Sequence, residues 1–216
     1  MKNPRVLVTG YPKFLDYDLN VSEMILSSIK EIDFVNIDIS TKLLTVDEEG
    51  SGLVANSINH GDFFDIVIHL GFSSKTKKIQ FEKYAYNEYM MNHNDNSGRC
   101  ISNGEIIPGK IGRYQTNVNE IVINKEFKGD KRIGWSTNPG RFVCNETYFK
   151  TLNLIDDNKL NNNIKAIFVH LPSEEILDIN EQIEIIERLI RCLTKPYLEV
   201  VGGLIFDKYH RILSCR

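Results

Sequence analysis

Three residues in this chain are of types that could do nucleophilic chemistry together. Cys144 lies in "GRFVCNETYF", Gly140 to Phe149, behind a compact apolar pair and ahead of the run "NETYFKTLNLI", which reads as a helix. A cysteine there is either a small core residue or a thiol opening a helix, where the positive end of the dipole favours the thiolate. His170 closes the apolar run "AIFVH" and is followed by a proline turn. Glu82 lies in "IQFEKYAYN", a segment leaving the most apolar run of the chain. A thiol hydrolase needs these three types. The thiolate attacks a carbonyl, the histidine holds the proton and returns it to the leaving amine, and the carboxylate orients the histidine. Each has a plainer reading as well. His170 could be a structural histidine at a strand end, and Glu82 a solvated carboxylate beside Lys83.

Other chemistries find less support. His60, His93 and His210 have no second ligand at metal-binding spacing, so no metal site is expected. His69, inside "IVIHLG", has apolar neighbours and reads as a core residue or as support for another group. "TGYPKF" after the first apolar run lacks both the dinucleotide and the phosphate-loop glycine patterns, so no nucleotide cofactor is expected. A glutamine amidotransferase would also use Cys, His and Glu, but with the last two separated by one residue, and "HLPSEE" does not supply that.

Such residues need a scaffold that brings distant segments together. "RVLVTG" (Arg5–Gly10) reads as a buried strand, and Val21, Met24, Ile25 and Ile29 follow at helical spacing, with Asn20 or Ser22 as cap. "FVNIDIS" alternates as a second strand, and "VDEEGSGLVANSINHG" reads as a polar helix broken or flanked by its glycines. "FDIVIHLG" and "KAIFVHLP" are so apolar that they predict central strands covered on both faces. Ile183, Ile186, Ile190 and Leu193 mark a last helix, ended by Pro196. Strands alternating with helices predict an α/β sandwich on a largely parallel sheet, with ligands gathering at the carboxyl ends of its strands. The tail after Pro196 predicts a hairpin about Gly202-Gly203.

The 216 residues suit one domain, 1–216, and no linker divides them. A net charge of -3 supplies no basic field for nucleic acid or anionic membrane. No run approaches the length of a membrane span, and the four cysteines form no C-x-x-C pair. A cytoplasmic, reduced protein is the expectation.

Several short motifs, taken in order, resemble the pyroglutamyl peptidase I family of cysteine peptidases. "VLVTGYPKF" resembles its opening V-L-V-T-G-F-x-P-F, and Asn20 and Ser22 fall on the following N-P-[ST]. "IQFEKYAYN" resembles I-x-x-E-[RK]-x-A-x-N, and "IIPG" resembles I-[VI]-P-G. "NPGRFVCN" resembles x-A-G-R-Y-[LV]-C-N, and "FVHLP" resembles F-[IV]-H-[VL]-P. The resemblance runs from Arg5 to near Leu193 and leaves the tail, 197–216, unexplained.

The resemblance implies a three-layer α/β/α sandwich on a twisted mixed sheet. It implies removal of N-terminal pyroglutamate from peptides, with Glu82, Cys144 and His170 catalytic and no cofactor. It points to a substrate pocket at Tyr11, Phe14, Thr45, Phe142 and Val143, with backbone groups near Phe72. Relatives in the family are monomers or homo-oligomers. Departures bear on strength and branch. Leu15-Asp16 replaces a usual Gly-Gly, Pro139 a common alanine, and Asn92 an arginine placed near the scissile carbonyl in bacterial members. Lys83, Asn92 and Cys100 lean toward the eukaryotic branch. Two alternatives stay open: the same machinery acting on another small N-terminal acyl group, and a catalytically weak binding protein on the same fold.

Overall fold

The computed structural model describes residues 2–14, 20–160 and 163–195, with the strand backbones 199–201, 204–206 and 212–215. The Leu15-Asp16 pair and the Gly202-Gly203 turn lie outside the described residues.

The first unit matches its pattern closely. Strand β1 (Arg5–Gly10) is followed by helix α1 (Val21–Glu31), whose Asn20 cap accepts a hydrogen bond from the Ser22 amide. The alternating stretch starts its strand later than expected, as β2 (Asp38–Leu43). Phe34 is buried under α1 instead, the Ile37 amide turns back to the Phe34 carbonyl, and Asn36 takes φ 61. A residue in the left-handed region cannot continue a strand. Helix α2 (Glu48–Asn59) runs unbroken through its glycines, because Asp47 caps the Gly50 amide. Gly50 has a packing reason to be glycine: a Cβ there would lie 2.0 Å from the Thr45 carbonyl oxygen.

The chain continues with β3 (Ile66–Phe72), β4 (Ile79–Glu82), β5 (Tyr84–Tyr86), β6 (Arg113–Gln115), α3 (Glu120–Glu126) and β7 (Ile133–Ser136). Helix α4 (Val143–Asp157), β8 (Lys165–Leu171) and α5 (Ile179–Thr194) complete the layers. The central sheet has six strands in the order β2-β1-β3-β8-β4-β7. All its pairs are parallel except β4 with β8, so the sheet is mixed and largely parallel. β5 and β6 form a separate antiparallel pair. The tail holds β9 (Glu199–Val201), β10 (Leu204–Phe206) and β11 (Ile212–Cys215), paired antiparallel, with β9 and β10 flanking the expected hairpin turn.

Strand side chains alternate between faces, and two cores follow. Val6 and Val8, Ile66, Ile68 and Leu70, Ile79 and Phe81, and Ile167, Val169 and Leu171 share one core with α1, α3 and α5. Leu7, Val67, Ala166 and Phe168 share the other with α2 and α4. The result is a three-layer sandwich. No described helix is long and apolar enough to cross a membrane.

Candidate active site

The same alternation decides where the polar residues of the central strands point. His69, His170, Gln80 and Glu82 have the parity opposite to the first core and face the layer of α2 and α4. Because β4 runs against β8, Glu82 sits opposite Phe168 and diagonal to His170. Diagonal neighbours are within reach of long side chains. His170 Nδ1 lies 2.7 Å from Glu82 Oε1, and Glu82 is completely buried. Lys83 does not compete for it, since its ammonium pairs with Glu120 at 2.6 Å. Burial alone would push the His170 imidazole toward neutrality. Hydrogen bonds to Cys144 and Glu82, and their negative charges, outweigh it and raise the pKa to about 9.

Cys144 reaches His170 from the helix layer. Gly140, at φ 79, turns the chain, and Phe142 begins α4 without a side-chain cap. The thiol sits in the first turn, half-buried, where amide N–H groups have no partner within the helix. Its seat depends on Gly71, which pairs in register with His170 across β3 and β8. A Cβ on Gly71 would lie 2.8 Å from the Phe168 ring and 3.1 Å from Cys144 Sγ. Gly71→Ala should therefore displace the thiol while leaving the apolar core of β3 in place. Alkylation of Cys144 by iodoacetamide at pH 7 should slow by about 10-fold or more, since small displacements of a reacting group cost that much. Unchanged alkylation would show that the ring and helix give way freely.

The structure also places the expected wall residues. Tyr11 and Val143 are buried, Phe14 and Phe142 half-buried, and all four pack in one cluster with Cys144. The Phe14 and Phe142 ring centroids lie 5.6 Å apart, tilted by 37°. The segment carrying Tyr11 and Phe14 is tied to α1. Ser22 Oγ accepts from the Tyr11 amide, and the Asn20 amide group donates to the Pro12 carbonyl. The Phe72 side chain packs in the opposite core, with α1 and α5, so only its backbone faces the strand ends. Thr45 is exposed, and its hydroxyl donates to Asp47 at 2.7 Å. Asn92 is exposed on the loop after Met91, not drawn in against the thiol as a donor in place of arginine would be. Among the described residues no cluster of His, Cys, Asp or Glu could hold a metal ion.

The family model described as pyroglutamyl peptidase matches residues 4–190. The chain belongs to the pyroglutamyl peptidase family. A pyrrolidone-carboxylate peptidase of Thermosipho melanesiensis is 30% identical, over 94% of this chain and 100% of its own length. One from Pyrococcus furiosus is 25% identical, over 81% of this chain and 84% of its own. The crystal structure of the Fervidobacterium islandicum pyrrolidone carboxyl peptidase superposes with a TM-score of 0.80 at 24% identity, over 89% of this chain and 99% of that one. The pyroglutamyl peptidase I of Bacillus amyloliquefaciens does so with a TM-score of 0.80 at 20% identity, over 89% and 96%. These relatives are bacterial and archaeal and give no support to the expected leaning toward the eukaryotic branch. The family match stops short of the tail.

Some residues at the site of this family member were not singled out from its sequence. Asn145, next to Cys144, accepts from the Tyr86 amide and donates to the Tyr86 and Glu88 carbonyls. Glu146 is fully buried and accepts from Arg99 Nη1 and Nη2 at 3.1 and 2.7 Å, the Tyr89 hydroxyl at 2.9 Å and Lys150 Nζ at 2.7 Å. Burial pushes the Glu146 carboxyl up, but Arg99 and Lys150 outweigh it and hold it below its ordinary range. The first turn of α4 thus fastens the loop that follows β5. Arg99 is the arginine that this loop brings to α4, and its charge is engaged by Glu146 and Asp95. The signal for Glu146 and Lys150 was their i, i+4 spacing. For Arg99 the local sequence held none.

Proposed function

We propose that this protein is a cysteine peptidase that removes pyroglutamate from the N-terminus of peptides. The observation that carries the reading is the line from Glu82 through His170 to Cys144, formed by residues far apart in the chain and seated at a helix N-terminus. In this reading Cys144 is the nucleophile. His170 is held protonated beside the sulfur, and it is as the thiolate of a thiolate–imidazolium pair that Cys144 would react. The thiolate attacks the pyroglutamyl carbonyl. The oxyanion forms beside the first-turn amides of α4, where the helix dipole and free N–H groups stabilise it. His170 gives its proton to the leaving amine while Glu82 keeps the ring oriented. Water, deprotonated by His170, then cleaves the thioester and regenerates the pair. The lactam would lie against Tyr11, Phe14, Phe142 and Val143, flat ring against aromatic faces. Family membership and the names of these relatives support the substrate class. Thr45, Asn92 and the Phe72 backbone are assigned to the pocket by family resemblance alone, and for Asn92 its exposure argues against contact with the scissile carbonyl.

Release of aminocoumarin from pyroglutamyl-aminocoumarin tests the reading. Turnover is expected, with a high-pH limb in kcat/KM near pH 9, where His170 loses its proton. Glu82→Gln removes one of the charges that raise that pKa, so the limb should move down. No turnover by the pure protein, with Cys144 shown to be reduced, would overturn the substrate assignment. The same linkage bears on stability. The raised His170 pKa contributes stability that is complete below its unfolded value of about 6.5 and is lost as pH rises through about 9.

A further inference from the structure

Cys144, Thr147 and Thr151 stand at i, i+3 and i+7 on α4 and therefore share one face of the helix. That face meets the sheet through polar contacts. Cys144 meets His170 on β8. Thr147 Oγ1 accepts from the Tyr11 hydroxyl at 2.7 Å, just past β1. Thr151 Oγ1 lies 3.1 Å from His69 Nε2 on β3, and His69 Nδ1 lies 2.7 Å from Thr9 Oγ1 on β1. Thr9, His69, Thr147 and Thr151 are completely buried. Each of these groups had to leave water, and an apolar face of the same shape would have packed without that cost. What a polar face adds is position. Apolar contacts tolerate sliding, whereas a hydrogen bond of this length does not.

We propose that His69, bridging Thr9 and Thr151, is a positioning residue that sets the seat of α4 on the sheet and so holds the Cys144 thiol against His170. The idea rests on the Cys144–His170 reading above. Thr151 lies about two turns, roughly 10 Å, along the helix from Cys144, so His69 acts through the helix and not on the reacting atoms. The tolerance is small. A shift of α4 by one residue's rise, about 1.5 Å, would break both threonine contacts and carry the sulfur off the space that Gly71 leaves for it. Burial lowers the His69 pKa to about 3, so across the working range it stays neutral, with one nitrogen to donate and one to accept. The bridge therefore does not switch with pH.

The test compares Thr151→Val, His69→Leu and His69→Gln with the wild type. Two readouts are taken: kcat and KM on pyroglutamyl-aminocoumarin, and the pH dependence of Cys144 alkylation by iodoacetamide, followed at that residue by mass spectrometry because Cys100 is also exposed. The ionisable groups that interact with the thiol are His170 from β8 and Tyr11 past β1, and behind them Glu82 on β4 acts on His170 and Glu146 on α4 acts on Tyr11. All are retained in these variants, so a shifted profile reports geometry. Thr151→Val and His69→Leu should lower kcat about 10-fold or more with KM within about twofold, because misplacement of a reacting group falls on the chemical step. Their alkylation should need a higher pH than the wild type's. Glutamine, with a donor and an acceptor on one amide, should restore most of kcat. Wild-type kcat and an unmoved alkylation profile in folded Thr151→Val would overturn the proposal, even if the melting temperature fell. That variant decides alone if His69→Leu does not fold. If the wild type released no aminocoumarin while its alkylation profile still moved on Thr151→Val, the substrate reading would fail and the positioning role would stand.

Discussion

Cys144→Ala is expected to abolish turnover of a pyroglutamyl substrate, with a loss in kcat of at least about 10⁴-fold, the order seen when the nucleophile of a triad-type hydrolase is removed. The fold should survive, because the change removes one half-buried sulfur and opens no large cavity. Cys144→Ser should be nearly as inactive. A serine hydroxyl holds its proton far too tightly for His170 to draw it off and leave the matching anion. The comparison that gives the result meaning is with the other thiols. Cys100 is exposed on the loop, and Cys192 is buried on α5 with its sulfur toward the Val122 carbonyl. Neither faces His170, so alanine at either should keep most activity, and so should Cys215→Ala in the tail. A Cys144→Ala enzyme that kept the wild-type rate would remove the nucleophile assignment and the mechanism with it.

How far the site could be read beforehand depended on whether each signal was local. The strands carrying His69 and His170 were legible because a run apolar on every side chain must be covered on both faces. The parity of a strand then decides which face a polar residue takes. Glu82 was harder. Its burial follows from β4 inserting between β8 and β7, antiparallel to β8 and parallel to β7, and nothing local in "IQFEKYAYN" sets that direction. The late start of β2 was invisible for a similar reason. Phe34 fits an alternating strand as well as it fits the core beneath α1, and only the packing decides between them. The glycines of α2 suggested a break, yet one of them is required by contact with Thr45. Asn92 took its expected role from its spacing after Glu82, but the loop is held by Asn145, Glu146 and Arg99, and those contacts leave Asn92 at the surface. A long polar loop takes its path from long-range partners, and single-residue spacing along it carries little information.

Selectivity against proline should be the second large effect. Pyroglutamate and an N-terminal proline have rings of the same size. The first is a neutral lactam, and the second carries a cationic amine at neutral pH. A pocket walled by Tyr11, Phe14, Phe142 and Val143 would have to strip water from that cation, and burying it unpaired costs several kcal/mol. The Tyr11 hydroxyl offers no anion in compensation. Burial first, and then the negative charge of Cys144, hold its pKa well above the ordinary phenol value, and its proton is donated to Thr147. Proline also lacks the lactam carbonyl, so a donor aimed at that oxygen would stay unpaired. Sites that read a substrate by buried hydrogen bonds reach discriminations of 10⁴–10⁵, and about 10³-fold or more in kcat/KM is expected here between pyroglutamyl- and prolyl-aminocoumarin. The bare lactam, 2-pyrrolidone, should compete with substrate and slow alkylation of Cys144. Comparable kcat/KM for the two substrates, or alkylation indifferent to 2-pyrrolidone, would mean that the aromatic wall does not hold a lactam. The Cys144–His170–Glu82 line would then belong to a hydrolase of some other small N-terminal acyl group.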